Sequence, residues 1–421
     1  MDKSARLAFA LASILALIGC GYSAPSESQE IANGAGGGAA RDVTIAIAGP
    51  NELVIPTDAF SCSKPDSSTD GAQAADVPDA PPRLLRRADG QFEMMAAHHN
   101  NIPFYSTDGV HFAHHGCQSA LPSSQDANPA DFADQDWLVG FYTLNGRDVY
   151  ALLHDEYHGP AHIPACKSRL LPGQNYWAST CLSVSLTGAV SHDMGSTFQF
   201  MPGDLHLVAT TPDRITRDNI NSLTSMGVRD PSNIVRNPLD GYAYFVALVV
   251  AHGAQPAGVC LFRSHDPLTQ PWMAWDGSGF QHSMSSPYVA NGGDAGTICA
   301  PVFGNGDSVE ALSYNTVAHK FIAIVQSNTH TLFATTSDNL IEWSPQQRLR
   351  VSLQPQWWRP NQADPDPEFY FSIIDPTSKS RFFDTSGAHP YIYYVHWNVG
   401  PKGVESRQRD IMRVPLDISA Q

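Results

Sequence analysis

The sequence predicts an all-β fold built by radial repetition, and three observations carry the prediction. The stretch Ser191-His192-Asp193-Met194-Gly195-Ser196-Thr197-Phe198 has looser copies starting at Ser106, Ser264 and Ser337, at intervals of 85, 73 and 73 residues. Its chemistry is that of a tight turn. An Asp bonds backbone N–H groups within the turn, Gly supplies a positive φ, and a closing aromatic pins the turn to the sheet. Second, paired strands rich in aromatic and β-branched residues recur in five groups, three of them joined by a D/N-G turn. Third, Gly and Pro make up about 15% of the chain, against roughly 12% on average, and no long segment has helical periodicity. Together these predict a five-bladed β-propeller of four-stranded antiparallel blades over residues 76–421.

The elements follow in order. Residues 1–20 read as a signal peptide: Lys3 and Arg6 precede the apolar run Leu7 to Ile18, which is too short to span a bilayer comfortably. The run ends in Leu17-Ile18-Gly19-Cys20, which resembles the lipobox of bacterial lipoproteins. That resemblance implies lipidation at Cys20, and Gly21 after it implies sorting to the outer membrane, anchored rather than spanning. Residues 21–42 are small, polar and Gly-rich, a flexible tether. Residues 43–75 form an N-terminal extension in which Val43 to Ile47 is a short strand suited to closing the ring.

The blades are then assigned. Blade one holds Arg83 to Arg87, Asp89-Gly90 and Phe92 onward. Blade two holds Trp137 to Leu144, Asn145-Gly146 and Val149 to His154. Blade three holds Ser232 to Val235, Asp240-Gly241, Tyr242 to Val250 and Val259 to Phe262. Blade four runs from Val309 through Lys320 to Val325. Blade five holds Glu368 to Ile374, Tyr391 to Trp397 and a last strand near Ile411 to Val414.

The net charge of −16 argues against nucleic acid and strongly anionic glycans as partners. Cys20 aside, the six cysteines of an exported chain are expected as disulfides, paired by proximity as Cys166–Cys181 and Cys260–Cys299, with Cys62–Cys117 remaining. The chain is expected to be a monomer.

Ligands of a propeller bind where the innermost strands begin, which directs attention to Asp79, Arg83, Asp230, Asn233, Asp307, Glu310 and Glu368. A second focus is His154-Asp155-Glu156-Tyr157-His158-Gly159, read as a loop opening at a strand end. His, Glu and Tyr there fit acid/base or sugar-contacting work. A helical zinc site is excluded, since no helix is predicted. Tyr176-Trp177 and Trp357-Trp358 lie in insertions and suit stacking on sugar faces.

The SHDMGSTF stretch resembles the Asp-box of sialidases, and Ser337-Asp338-Asn339-Leu340-Ile341-Glu342-Trp343 resembles the corresponding turn of five-bladed glycoside hydrolases of the arabinanase and β-xylosidase type. The resemblance implies paired carboxylates serving an oxocarbenium-like transition state. Asp79 would be base or nucleophile, with Glu156, Asp230 or Glu310 as acid or modulator. Arg83, His154, Tyr157, His158, Tyr176, Trp177, Asn233 and Trp358 would contact substrate. It also implies a channel calcium ion near His396. The chain departs from the pattern at Arg229-Asp230-Pro231-Ser232-Asn233-Ile234-Val235, where those enzymes place their acid Glu. No arginine triad of the sialidase kind is present. The function expected is a glycoside hydrolase acting on a neutral or weakly charged glycan. The alternatives are a non-catalytic glycan-binding or structural lipoprotein, and a polysaccharide lyase or sialidase-like enzyme.

Overall fold

The computed structural model describes residues 42–62, 75–96, 98–163, 166, 182–212, 214–215, 226–251, 255–289, 299–327, 331–351, 368–400 and 403–421. The architecture is a β-propeller, nearly all strand. Its strands pair into four sheets of three, eleven, five and five strands, and they are taken below as five groups in chain order, two of them sharing the eleven-stranded sheet.

Unit one holds Arg83–Arg86, Phe92–Met95 and Phe104–Ser106. Unit two holds Gln135–Tyr142, Val149–His158 and Leu182–Ser191, with Gln199–Phe200 and Leu207–Ala209 on its outer edge. Unit three holds Val235–Arg236, Ala243–Val249, Gly258–Ser264 and Met273–Ala274. Unit four holds Asp307–Asn315, Lys320–Ser327, Thr331–Ser337 and Gln347–Val351. Unit five holds Glu368–Ile374, Tyr391–Gly400 and Gly403–Ala420. Val43–Ile47 and Glu52–Ile55 complete unit five by pairing with Gly403–Ala420, so the two ends of the described chain share one sheet.

Three expectations change. Unit one has three strands among the described residues, not four. Units two and three are joined by a parallel bridge, Met226 and Gly227 against Ser183 and Val184. The His154-to-His158 stretch is not a loop. It continues the strand Val149–His158, paired along its length with Leu182–Ser191.

The recurring turns sit where the third strand of a unit ends. In the second copy the Ser191 hydroxyl accepts from Gly195 N (2.9 Å), and Asp193 Oδ1 accepts from Thr197 N (2.9 Å). Gly195 has φ +94. In the last copy Asn339, not Asp338, takes the Asp role, accepting from Ile341 N and Glu342 N. Asp338 is turned outward onto Lys320. The common element is a short acceptor two residues after the Ser, which a carboxamide supplies as well as a carboxylate. Of the expected disulfides, Cys62–Cys117 and Cys260–Cys299 are formed. Cys181 lies outside the described residues.

Candidate functional site at the mouth of the propeller

Arg83, on the inner strand of unit one and 4% exposed, meets the inner strands of units two, four and five and the segment leading into unit three. Its Nε donates to Val139 O (2.6 Å) in unit two. Nη2 donates to Pro231 O (3.2 Å) before unit three and to Glu310 O (2.8 Å) in unit four, and Nη1 to Ser372 Oγ (2.5 Å) in unit five. Arg83 is therefore a hub of the channel and not a free substrate contact. The cavity left beside it is about 10 Å³, room for about one water at most. Burial lowers the guanidinium pKa to about 9, with Glu310 opposing the drop, so it stays charged at neutral pH.

Directly around this hub, at the end where the inner strands begin, the structure gathers candidate residues from all five units. Asp79 stands ahead of unit one. Its Oδ1 accepts from Arg409 Nη1 (2.5 Å) and from Tyr370 Oη (3.2 Å). Arg409 in turn lies 3.8 Å from the Trp397 ring centroid, a cation–π contact. Asp230, ahead of unit three, is at φ +51 and its side chain is 33% exposed, with only a 3.5 Å contact to Arg229 Nε. Tyr370 is at φ +60. Positive φ in a bulky aromatic is a true outlier, and such strain concentrates at functional sites.

Glu310 sits at a β-bulge of unit four, between Ser308 and Ala311, and its Oε2 accepts from Phe371 N (2.9 Å). Burial pushes its carboxyl up, the charge of Asp230 adds to this, and the Phe371 N–H, Arg83 and His154 pull back. The result is about 8. Glu310 is thus a protonated acid at neutral pH, and a bulge aims it.

Unit two supplies the remaining wall. Because strand side chains alternate, His154, Glu156 and His158 share one face. Glu156 bridges the two imidazoles, Oε1 to His154 Nε2 and Oε2 to His158 Nε2, both 2.8 Å. Burial alone would raise the Glu156 carboxyl, but the two histidines outweigh it and bring it to about 2. His154 loses by burial and gains more from Glu156, so its pKa is raised. Trp137 lies edge-on to His154, with His98 and His99 behind it. Glu156 is accordingly a poor proton donor. It orients His154, which shares its electrostatic environment with Asp230 and Glu310.

The other expected contacts are engaged within the fold or fall outside the described residues. Tyr157 points to the opposite face, buried, its hydroxyl donating to Ala127 O. Asn233 ties unit three to unit four through Leu312 N and O. Tyr176, Trp177 and Trp358 lie outside the described residues. His396 is on the middle strand of unit five, opposite Glu368 and 3.8 Å from Asp410 Oδ2, not at the channel centre. The centre already holds the Arg83 cation, whose donors occupy the converging oxygens, so the residues there do not fit a calcium ion. Among the described residues, the only cluster within ligand distance of a common metal is Cys62, Asp76 and His114, and Cys62 is in a disulfide.

Tyr370, Arg409, Trp397, His98 and His99 were not foreseen as site residues. Tyr370 was within reach, since it follows the start of an inner strand; no local signal marks Arg409. A groove of about 880 Å³ opens at the opposite end between units two and three, beside Leu144, Met201, Leu205 and Arg236. Its carboxylates Asp148, Asp240 and Asp266 are already bonded to their own turns.

No protein-family model and no curated protein matches the chain. Among solved structures, it is similar to a family 117 glycoside hydrolase from Zobellia galactanivorans (TM-score 0.47, 9% identity, covering 88% of this chain and 90% of that one). It is also similar to an N-acetylgalactosamine deacetylase from F. plautii (0.45, 12%, 88% and 95%). A third is the α-L-arabinanase of Cellvibrio cellulosa (0.43, 10%, 80% and 91%). Likeness at this level says nothing of reaction.

Proposed function

We propose that this protein is a glycoside hydrolase acting on a neutral or weakly charged glycan, carried on an exported chain lipid-anchored at Cys20. The observation that carries the reading is a pair of carboxyls at one mouth with different partners. Glu310 is buried and pushed up to about 8, while Asp79 is tied to Arg409 and Tyr370. A glycosidase needs two such carboxyls, one of them an acid that keeps its proton at working pH. Glu310 protonates the leaving oxygen, taking the part left vacant in unit three. Asp79, fixed by Arg409 and Tyr370, is base or nucleophile. Asp230 keeps the proton on Glu310, and His154, oriented by Glu156, contacts the sugar.

The test incubates the full-length protein with a panel of neutral and acidic polysaccharides and follows new reducing ends together with unsaturated uronate absorbance. Reducing ends that disappear in Asp79→Asn and Glu310→Gln are the expected result. Unsaturated product makes it a lyase working through His154 and His158. The second reading, glycan binding without catalysis, is favoured by the channel being filled beneath the mouth, and binding without either product would establish it. Incorporation of labelled palmitate, lost in Cys20→Ala, tests the anchor.

A further inference from the structure

The geometry points to Arg83 as the positioning residue of this mouth: one buried guanidinium ties the inner strands of units two, four and five to the Pro231 carbonyl ahead of unit three and holds a positive charge beneath Glu310. The inference rests on the proposed use of Glu310 and concerns how that group is placed.

Its basis is where the four bonds land. Inner strands of units two, four and five each carry a register shift, at Leu138/Gly140, Ser308/Ala311 and Phe369/Ser372. A bulge leaves backbone groups without their ladder partners and re-aims side chains. Arg83 bonds to Val139 O, Glu310 O and Ser372 Oγ, each within or bounding one of these shifts. Its remaining acceptor, Pro231 O, follows the positive-φ residue Asp230. The distortions that turn Glu310, Tyr370 and Asp230 to the mouth are thus closed from below by one side chain. Only a guanidinium has donors enough, in a planar fork, to reach four acceptors from four directions; an ammonium offers three from a single point.

The charge has a direct consequence for Glu310. The groups facing it are Asp230 from unit three, His154 from unit two, Arg83 from unit one, and the Phe371 N–H with Tyr370 from unit five. Arg83 is the one guanidinium among the groups acting on Glu310, and it is charged at neutral pH. Its pull favours the carboxylate, so it keeps Glu310 from rising out of the working pH range.

The experiment uses isotope-labelled glutamate in the full-length protein. The chain has nine glutamates, few enough for the Glu310 carboxyl resonance to be assigned by its loss in Glu310→Gln. In Arg83→Met the Glu310 titration midpoint is expected to move up, by about one pH unit, while Arg83→Lys stays closer to wild type. A folded Arg83→Met protein with an unmoved midpoint overturns the proposal. Should Arg83→Met fail to fold, the wild type still decides. Coupling is reciprocal, so the Arg83 Nε–H resonance must step at the pH where Glu310 titrates, and lose that step in Glu310→Gln. Absence of the step overturns the proposal. Neither readout needs turnover, so a protein inactive on every glycan that still shows both effects would refute the hydrolase reading and leave Arg83 in this role. Where a glycan is turned over, the alkaline limb of kcat/KM must move up with the resonance; a limb that stays put overturns it.

Discussion

Glu156→Gln tests the histidine-bridged carboxylate. The Glu156 side chain is 3% exposed and accepts from two imidazoles at 2.8 Å. Its carboxyl falls from 4.5 to about 2, the two histidines outweighing the desolvation that would raise it. At 1.36 kcal/mol per pH unit, that drop corresponds to about 3 kcal/mol of stability from the ionised form. Glutamine keeps the shape but removes the charge, and its NH2 faces one ring nitrogen as donor against donor. The folded-state pKa is depressed, so the contribution is fully present above the unfolded value of 4.5 and is lost as pH falls through about 2. Urea denaturation of wild type and variant should therefore show a gap of about 3 kcal/mol at neutral pH, shrinking to about 1 kcal/mol near pH 3. A gap below about 1 kcal/mol at neutral pH, or one indifferent to acid, would refute the reasoning, because a bridging ionised carboxylate must give both.

Five other buried carboxyls shift the opposite way, all raised first by desolvation: Asp384 to about 6, Asp155 to about 7, Glu93 and Glu310 to about 8, and Asp136 well above the usual carboxylate range. Raised carboxyls stabilise fully below their unfolded values and lose that contribution as pH climbs through the folded ones. Tm should thus fall between about pH 5 and pH 8.5 by calorimetry, and a rise over that interval would contradict these environments. Gly195→Ala puts a Cβ 3.0 Å from Glu93 Oε2 at φ +94, so a loss of about 1–2 kcal/mol is expected by denaturant titration, with Gly90→Ala, open on all sides, as the backbone-only control. Replacing Cys260 and Cys299 together by Ala opens a 39-residue crosslink and should cost about 4 kcal/mol on the chain-entropy model, read from the urea midpoint; a fully native midpoint would sink that expectation.

Features made by local chemistry are legible in the chain before it folds. The Ser-x-Asp turns are closed by bonds spanning two to four residues, so their residue types announce them wherever they fall. The same locality explains why Cys260–Cys299 was legible from proximity and why the strands of units two to five were found close to their places. It also explains the errors. His154 to His158 looked like a loop because polar residues crowd there, and only pairing with Leu182–Ser191 shows it to be a strand. The tertiary structure decided the mouth. Asp79 meets Tyr370 and Arg409 across separations of 291 and 330 residues, and no spacing rule reaches that far. Arg83 reads as an exposed contact at a strand start. It becomes a buried hub only because three bulged strands and a positive-φ turn present it with oxygens that none of them can satisfy alone. A bulge is a property of two strands in register, and a pKa is a property of everything packed around a group. Both are absent from a chain until it has closed its ring.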